Sequence, residues 1–139
     1  WNRQAFIKAS NTLEYRNSNI GSDNFGVSLA LSGDRIVVGA TGEDSDAVGA
    51  NGDEMNDNTR HTGAAYVFKR TGSTWSQESY LKASNPDDFD FLGNSVAISG
   101  DLIAVASLSE EGGSVGVNGD QSSNSQDGAG AVYVFVAED

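Results

Sequence analysis

The chain repeats itself, and no other feature of its sequence limits the fold as strongly. The stretch Asp23-Asn24-Phe25-Gly26-Val27-Ser28-Leu29-Ala30-Leu31-Ser32-Gly33-Asp34-Arg35-Ile36-Val37-Val38-Gly39-Ala40 returns 67 positions later as Asp90-Phe91-Leu92-Gly93-Asn94-Ser95-Val96-Ala97-Ile98-Ser99-Gly100-Asp101-Leu102-Ile103-Ala104-Val105-Ala106-Ser107. The same offset carries Gly63-Ala64-Ala65-Tyr66-Val67-Phe68 onto Gly130-Ala131-Val132-Tyr133-Val134-Phe135, and Asn51-Gly52-Asp53 onto Asn118-Gly119-Asp120. A third block, from Trp1 through Phe6-Ile7-Lys8-Ala9-Ser10-Asn11, returns from Trp75 through Tyr80-Leu81-Lys82-Ala83-Ser84-Asn85 at an offset of 74. Each unit of such an array is a supersecondary element that buries its apolar face only against a neighbour.

Every copy carries four short segments of strand character. In residues 26–31 small and apolar side chains alternate, residues 35–40 are rich in Ile and Val, residues 64–69 hold a Tyr-Val-Phe core, and residues 75–82 alternate again. Ser32-Gly33-Asp34 and Ser99-Gly100-Asp101 are short enough to join the first two segments as a hairpin, and Arg70-Thr71-Gly72-Ser73 does the same for the last two. With 17 Gly and a single Pro, and no long amphipathic helical pattern, the composition agrees with strands joined by tight turns. Four antiparallel strands per repeat describe one blade of a β-propeller.

Phe25-Gly26 with Ser28 and Ala30, then Ile36-Val37-Val38-Gly39-Ala40, then Gly63-Ala64-Ala65-Tyr66-Val67-Phe68, resembles the FG-GAP repeat of integrin α-subunits and bacterial surface proteins. The resemblance covers nearly the whole chain twice. It departs at Leu92, which replaces the Phe, at Thr41 and Leu108, where Pro would stand, and at Ser107, which replaces Ala. Each change keeps an apolar or small residue where the pleat needs one. The expected fold is therefore all-β, with two four-stranded antiparallel propeller blades. Residues 1–10 form an outer latch strand, 23–83 the first repeat, and 90–136 a second repeat without its own outer strand.

That phase has consequences. A propeller closes when an N-terminal outer strand completes the last blade, which removes an exposed sheet edge. Two blades cannot close a ring, since propellers need roughly four to eight. The chain is expected to join further blades, either by head-to-tail pairing with itself or with further repeats of a longer chain.

The net charge of −12 disfavours a nucleic-acid backbone or an anionic membrane and leaves cations and basic partners open. Cysteine is absent, which excludes disulfides and thiol chemistry. No apolar run is long enough to insert in a bilayer, and the residues from Trp1 carry no signal-peptide pattern. A secreted or cell-surface location is implied by the resemblance, with the signal sequence lying outside this chain.

Strand parity sorts the connections. The tight turns fall at one end of the blades, and the long connections, residues 41–62, 108–129, 11–24 and 86–91, fall at the other. These four sum to −13 against −12 for the whole chain, so the acidity belongs to one face. In the integrin relatives the corresponding face binds ligand, and here it offers Glu43, Asp44, Asp46, Asp87, Asp88, Asp90, Glu110 and Glu111, with Tyr15 and Phe89 as aromatic contacts. A protein or glycan ligand suits such a face. Closely spaced side-chain oxygens also suit Ca2+, and Asn51, Asp53, Asp57, Asn118, Asp120 and Asn124 are the candidate metal ligands. Calcium-binding FG-GAP repeats use a loop between the first two strands, which is too short here. Asn-Gly is equally a turn signal.

Catalysis is not expected. The single histidine, His61, aligns with Gly128 in the second copy, no nucleophile elbow surrounds a serine, and the glycines do not form a phosphate-binding loop. The expected function is a non-catalytic binding or adhesion module; the alternatives are a self-assembling propeller or fibre subunit and, third, a glycan-active enzyme using paired carboxylates.

Overall fold

The computed structural model describes residues 1–12 and 22–137; Tyr15 lies outside the described residues. Seven strands follow in order: β1 (Ser28–Ser32), β2 (Arg35–Ala40), β3 (Ala64–Thr71), β4 (Thr74–Leu81), β5 (Leu92–Ser99), β6 (Leu102–Ser107) and β7 (Ala131–Val136). They form a four-stranded sheet in the order β1-β2-β3-β4 and a three-stranded sheet in the order β5-β6-β7, all antiparallel. These are the two blades.

Period-2 alternation sets which face each side chain takes. In blade 1, Ile36, Val38, Tyr66 and Phe68 point one way and pack with Phe25, Tyr80 and Trp75. Val37, Ala65 and Val67 point the other way, onto Ile103, Val105, Tyr133 and Phe135 of blade 2. Leu92 opens β5 at this seam and is fully buried, a contribution of roughly 1.5–3 kcal/mol for a side chain of its size. A β-bulge between Val67 and Phe68 adds twist to the β3–β4 pair.

At the inner edge the two backbones nearly touch. A Cβ on Gly39 would collide with the Gly93 carbonyl oxygen, so only glycine fits there. Ser28 Oγ donates to that same carbonyl at 2.7 Å, and Gly63 bridges Leu92 in parallel. Residues 1–12 form no strand. Within the chain β4 already occupies the outer edge of blade 1, so the N-terminal segment lies over the sheet instead, with Ile7 and Ala9 resting on the Tyr66 and Phe68 side.

Candidate functional site

The turns sort as strand parity requires. Arg70 N donates to Asp34 O at 2.7 Å and its guanidinium pairs with the Asp34 carboxylate, which joins the β1–β2 and β3–β4 turns at one end. Arg35 is bidentate to Glu78 (2.8 and 3.1 Å) and reaches across to Asp101 of blade 2 at 2.6 Å. The Arg35 hydrogen bonds and charge hold the Glu78 carboxyl below its ordinary range. The short-turn end is thus charge-paired, and the long connections gather at the opposite end.

There the β2–β3 loop turns inward around Glu43. Its carboxylate accepts from Lys82 Nζ at 2.8 Å, from Ser45 Oγ at 3.3 Å and from Asn11 Nδ2 at 3.4 Å. Glu43 and Lys82 are each 1% exposed, and Lys82 also donates to Thr62 Oγ1. Burial pushes the Lys82 ammonium below its ordinary pKa, opposed by the Glu43 carboxylate. Asn11 carries a second link, accepting from Tyr66 Oη at 2.6 Å. Blade 2 repeats the arrangement: Asn85 accepts from Tyr133 Oη at 2.8 Å and donates to Glu110 Oε1 at 2.8 Å. Asn11, Asn85 and Lys82 are functional to the fold, and sequence reasoning assigned them no role. Their signal was the recurring Lys-Ala-Ser-Asn at residues 8–11 and 82–85.

Of the acidic residues expected to face a ligand, Glu43, Asp44, Asp90 and Glu110 are buried. Asp87 and Glu111 are half-buried, whereas Asp46 and Asp88 are exposed. Asp46 accepts from Asn58 Nδ2 at 3.0 Å, and Asp88 Oδ1 accepts from Arg60 N at 2.8 Å. Asp90 Oδ2 accepts from Asp87 N, yet desolvation first, and then the neighbouring Asp87, Glu110 and Glu111, raise its pKa to about 6. Asp23, its counterpart in blade 1, is raised to about 6 by burial and by Glu43, Asp44 and Asp57.

The residues at the blade seam form an aromatic group. The His61 ring stacks on Phe91 (centroids 5.9 Å apart, 21° between planes) and lies 5.5 Å from Phe89; Phe89 and Phe91 are 6.1 Å apart. Phe89 N, Phe91 N and Leu92 N donate to the carbonyls of Arg60, His61 and Thr62 at 2.8, 3.0 and 3.0 Å, which ties the β4–β5 connection to the β2–β3 loop. All three aromatics have positive φ: 50° at His61, 69° at Phe89 and 56° at Phe91. Such backbone is uncommon for bulky residues and persists only where surroundings enforce it. Asn24 and Gly128, the repeat counterparts of Phe91 and His61, share the left-handed conformation, so those two positions belong to the blade frame. Below the rings, Asp44 Oδ1 accepts from His61 N and lies 3.9 Å from His61 Nδ1. Asp44 Oδ2 and His61 Nδ1 are buried without a hydrogen-bond partner among the described residues.

The six metal-ligand candidates do not converge. Asn51 Oδ1 accepts from Tyr80 N at 3.0 Å, Asp53 Oδ1 from Met55 N at 3.0 Å, and Asp120 Oδ1 from Ser122 N at 2.9 Å. Asn124 Nδ2 donates to Asp87 at 3.0 Å, and Asp57 is exposed. Asn51 and Asn118 sit at φ of 56° and 55°, and the Asn51 amide caps the end of β4. Among the described residues no group of three or more His, Cys, Asp or Glu is arranged to hold a metal ion. A groove of about 390 Å³ between residues 4–8 and 73–77 lies at the short-turn end, away from the loops. No helix among the described residues is long and apolar enough to cross a membrane.

No curated protein and no solved structure matches the chain. The family model of the FG-GAP repeat matches it twice, over residues 1–68 and again over residues 75–135. Two matches that together take in most of the sequence, each centred on one antiparallel blade, establish that the chain belongs to the FG-GAP repeat family.

Proposed function

We propose that this protein is a non-catalytic binding module of an exported or cell-surface protein, and that it engages a protein or glycan partner through the long-loop end of its blades. FG-GAP repeats are typically non-catalytic propeller modules of adhesion and binding proteins, which supports the class. The observation that carries the choice of face is the His61, Phe89 and Phe91 group. Two blades contribute to it, and Phe89 remains 46% exposed. An aromatic ring held in water on left-handed backbone does little for folding, whereas aromatic and Arg side chains dominate binding energy at interfaces. Arg60 and Asp88 flank the rings, and the exposed Asp46 adds to the acidic surround, which favours a basic partner surface over an anionic one.

The test is biolayer interferometry of the immobilised protein against a glycan panel and a panel of basic proteins. Binding is expected to at least one probe, weakened tenfold or more by Phe89→Ala while the urea midpoint stays within experimental error. Unchanged binding by Phe89→Ala, or no binding to any probe in either panel, would sink the reading.

A further inference from the structure

We propose that Lys82 and Asn11 are the reactants of an intramolecular cross-link: the Lys82 amine attacks the Asn11 carboxamide beside the Glu43 carboxylate, ammonia leaves, and an amide bond joins the two side chains inside blade 1. The bond concerns the interior of the blade and does not depend on any partner at the aromatic group.

Nucleophile and electrophile meet on one carboxylate. Glu43 Oε2 accepts from Lys82 Nζ at 2.8 Å, and Glu43 Oε1 accepts from Asn11 Nδ2 at 3.4 Å. The attacking nitrogen and the leaving nitrogen are thus bound to the two oxygens of a single general base, which can take a proton from one and deliver it to the other. The carbonyl is prepared as well. Tyr66 Oη donates to Asn11 Oδ1 at 2.6 Å, where negative charge gathers when the carbonyl carbon is attacked. Burial first, and then the Glu43 charge, push the Tyr66 pKa up, so the hydroxyl stays protonated and remains a donor. Asn11 Nδ2 also donates to Glu54 O at 2.8 Å, which fixes the plane of the carboxamide.

The site is closed to water. Lys82 and Glu43 are each 1% exposed, Tyr66 is fully buried and Asn11 is 8% exposed. An ordinary lysine is protonated and unreactive at neutral pH. Here desolvation pushes the Lys82 pKa down, against the opposing pull of Glu43, Asp44 and Asp90, which enlarges the neutral fraction able to attack. Thr62 Oγ1 also accepts from Lys82 Nζ and helps to orient the amine.

The buried ion pair is the reactant state. Glu43 takes one proton from the ammonium, the Nζ lone pair forms a bond to Asn11 Cγ, and Glu43 passes its proton to Nδ2 while taking a second from Nζ. The Cγ–Nδ2 bond then breaks with its electron pair on nitrogen. One ammonia leaves, the new amide keeps one hydrogen on Nζ, and Glu43 ends protonated. Two buried charges are replaced by neutral groups, which removes the desolvation cost of holding them.

The repeat shows what such a bond would join. Lys-Ala-Ser-Asn at residues 82–85 serves two blades, because Lys82 reaches Glu43 of blade 1 and Asn85 reaches Glu110 of blade 2. Asn11 belongs to the same motif one copy earlier and stands to Glu43 as Asn85 stands to Glu110. The cross-link ties the segment that precedes blade 1 to the end of its last strand and encloses residues 12–81 between them. A pull applied outside the enclosed residues would bypass the blade.

Denaturing tryptic digestion and mass spectrometry of protein kept folded at 37 °C and sampled over days tests the bond. Trypsin should fail to cut after Lys82, and peptide 9–16 should be found joined to peptide 71–139 with the loss of one ammonia. Whole-chain mass alone does not decide, because Asn51-Gly52 and Asn118-Gly119 also lose ammonia when an Asn side chain cyclises onto the following backbone nitrogen. The joined peptides should be absent from Lys82→Arg, which keeps the cation, and from wild-type chain held unfolded in guanidinium chloride. Tyr66→Phe and Glu43→Gln should each slow the joining at least tenfold, with circular dichroism confirming that the variant is folded. If Glu43→Gln does not fold, Tyr66→Phe carries the comparison. Complete cleavage after Lys82 with peptide 9–16 free overturns the proposal. So does a link from Lys82 to any residue other than Asn11, or joining as fast in a folded variant as in wild type.

Discussion

Lys82→Met probes the most deeply buried charge pair among the described residues. Lys82 and Glu43 are each 1% exposed, and Met keeps most of the lysine stem while removing the ammonium. Glu43 would then retain only Ser45 Oγ at 3.3 Å and Asn11 Nδ2 at 3.4 Å, both long for a carboxylate. Removing one partner of a buried ion pair typically costs about 3–5 kcal/mol, because the remaining charge is left uncompensated. Domains of this size have roughly 5–15 kcal/mol in total, so the variant should be near the edge of folding at 37 °C. Neutralising the survivor should recover most of the loss: Glu43→Gln in the Lys82→Met background keeps an acceptor and removes the buried charge. The assay is urea unfolding followed by fluorescence of half-buried Trp75. With a slope of about 1–2 kcal/mol per molar urea, Lys82→Met should lower the midpoint by roughly 2 M and the double variant by less than half of that. A single variant that loses under about 1 kcal/mol, or a double variant less stable than the single, would refute the idea that Lys82 compensates the buried Glu43 carboxylate.

Other expectations follow from the same contacts. Asp90 has a folded-state pKa of about 6 against an ordinary 3.8, so its contribution to stability is fully present below about 3.8 and is lost as pH rises through 6. Thermal melting should therefore show Asp90→Asn more stable than wild type at pH 7.5, by about 1 kcal/mol or 3–5 °C, with the advantage gone by pH 4; an advantage that persists at pH 4 would be evidence against titration of this carboxyl. Gly39→Ala places a methyl group against the Gly93 carbonyl and should cost about 1–3 kcal/mol or more by chemical denaturation, whereas Gly33→Ala in the open β1–β2 turn meets no atom and is strained only by its φ of 57°. Tyr133→Phe removes the hydrogen bond to Asn85 and should cost about 1 kcal/mol, the same as Tyr66→Phe with Asn11 if the two networks are equivalent. Millimolar calcium should leave the urea midpoint unchanged, because the Asn51 and Asp53 oxygens already accept from backbone N–H groups; a rise abolished by Asp53→Ala would demonstrate coordination.

The strands were legible because alternation, β-branched residues and Gly-centred turns all signal the same thing at one spacing. β2 starts and stops where the Ile-Val run predicts, and β7 begins with Ala131 just after its leading Gly130. The inward turn of the acidic loops was not legible. Glu43 and Asp46 look alike in a charge count, and only Lys82, an ion partner 39 positions away, separates a core residue from a surface one. The repeated Asn-Gly-Asp was visible, but its chemistry was ambiguous between a metal ligand and a turn; the amide of Asn51 is spent on β4, a contact made only once the outer strand is paired. The aromatic group was half visible. Phe89 was a candidate contact; Phe91 lies beside it on the same connection, and His61 joins them from the β2–β3 loop only through the stacking of one blade on the next.

An internal repeat supplies its own control, and the differences between copies are more informative about function than the agreements. Positions that agree report the frame: Asn11 and Asn85 each accept from the tyrosine of their blade and donate to the glutamate, Glu43 or Glu110. Positions that differ report what each blade does alone. His61 and Phe91 place aromatic rings where the other copy has Gly128 and Asn24, on backbone of the same left-handed shape, so the rings are an addition to the frame and not a requirement of it. Leu102 and Val136 replace Arg35 and Lys69, and Gln4 replaces the Glu78 that would have met them. An unconnected loss of charge at one position would be drift on a solvated surface. Here the loss is matched: the copy of β4 without the carboxylate goes with copies of β2 and β3 without the cations, so charge and partner have changed together in the repeat.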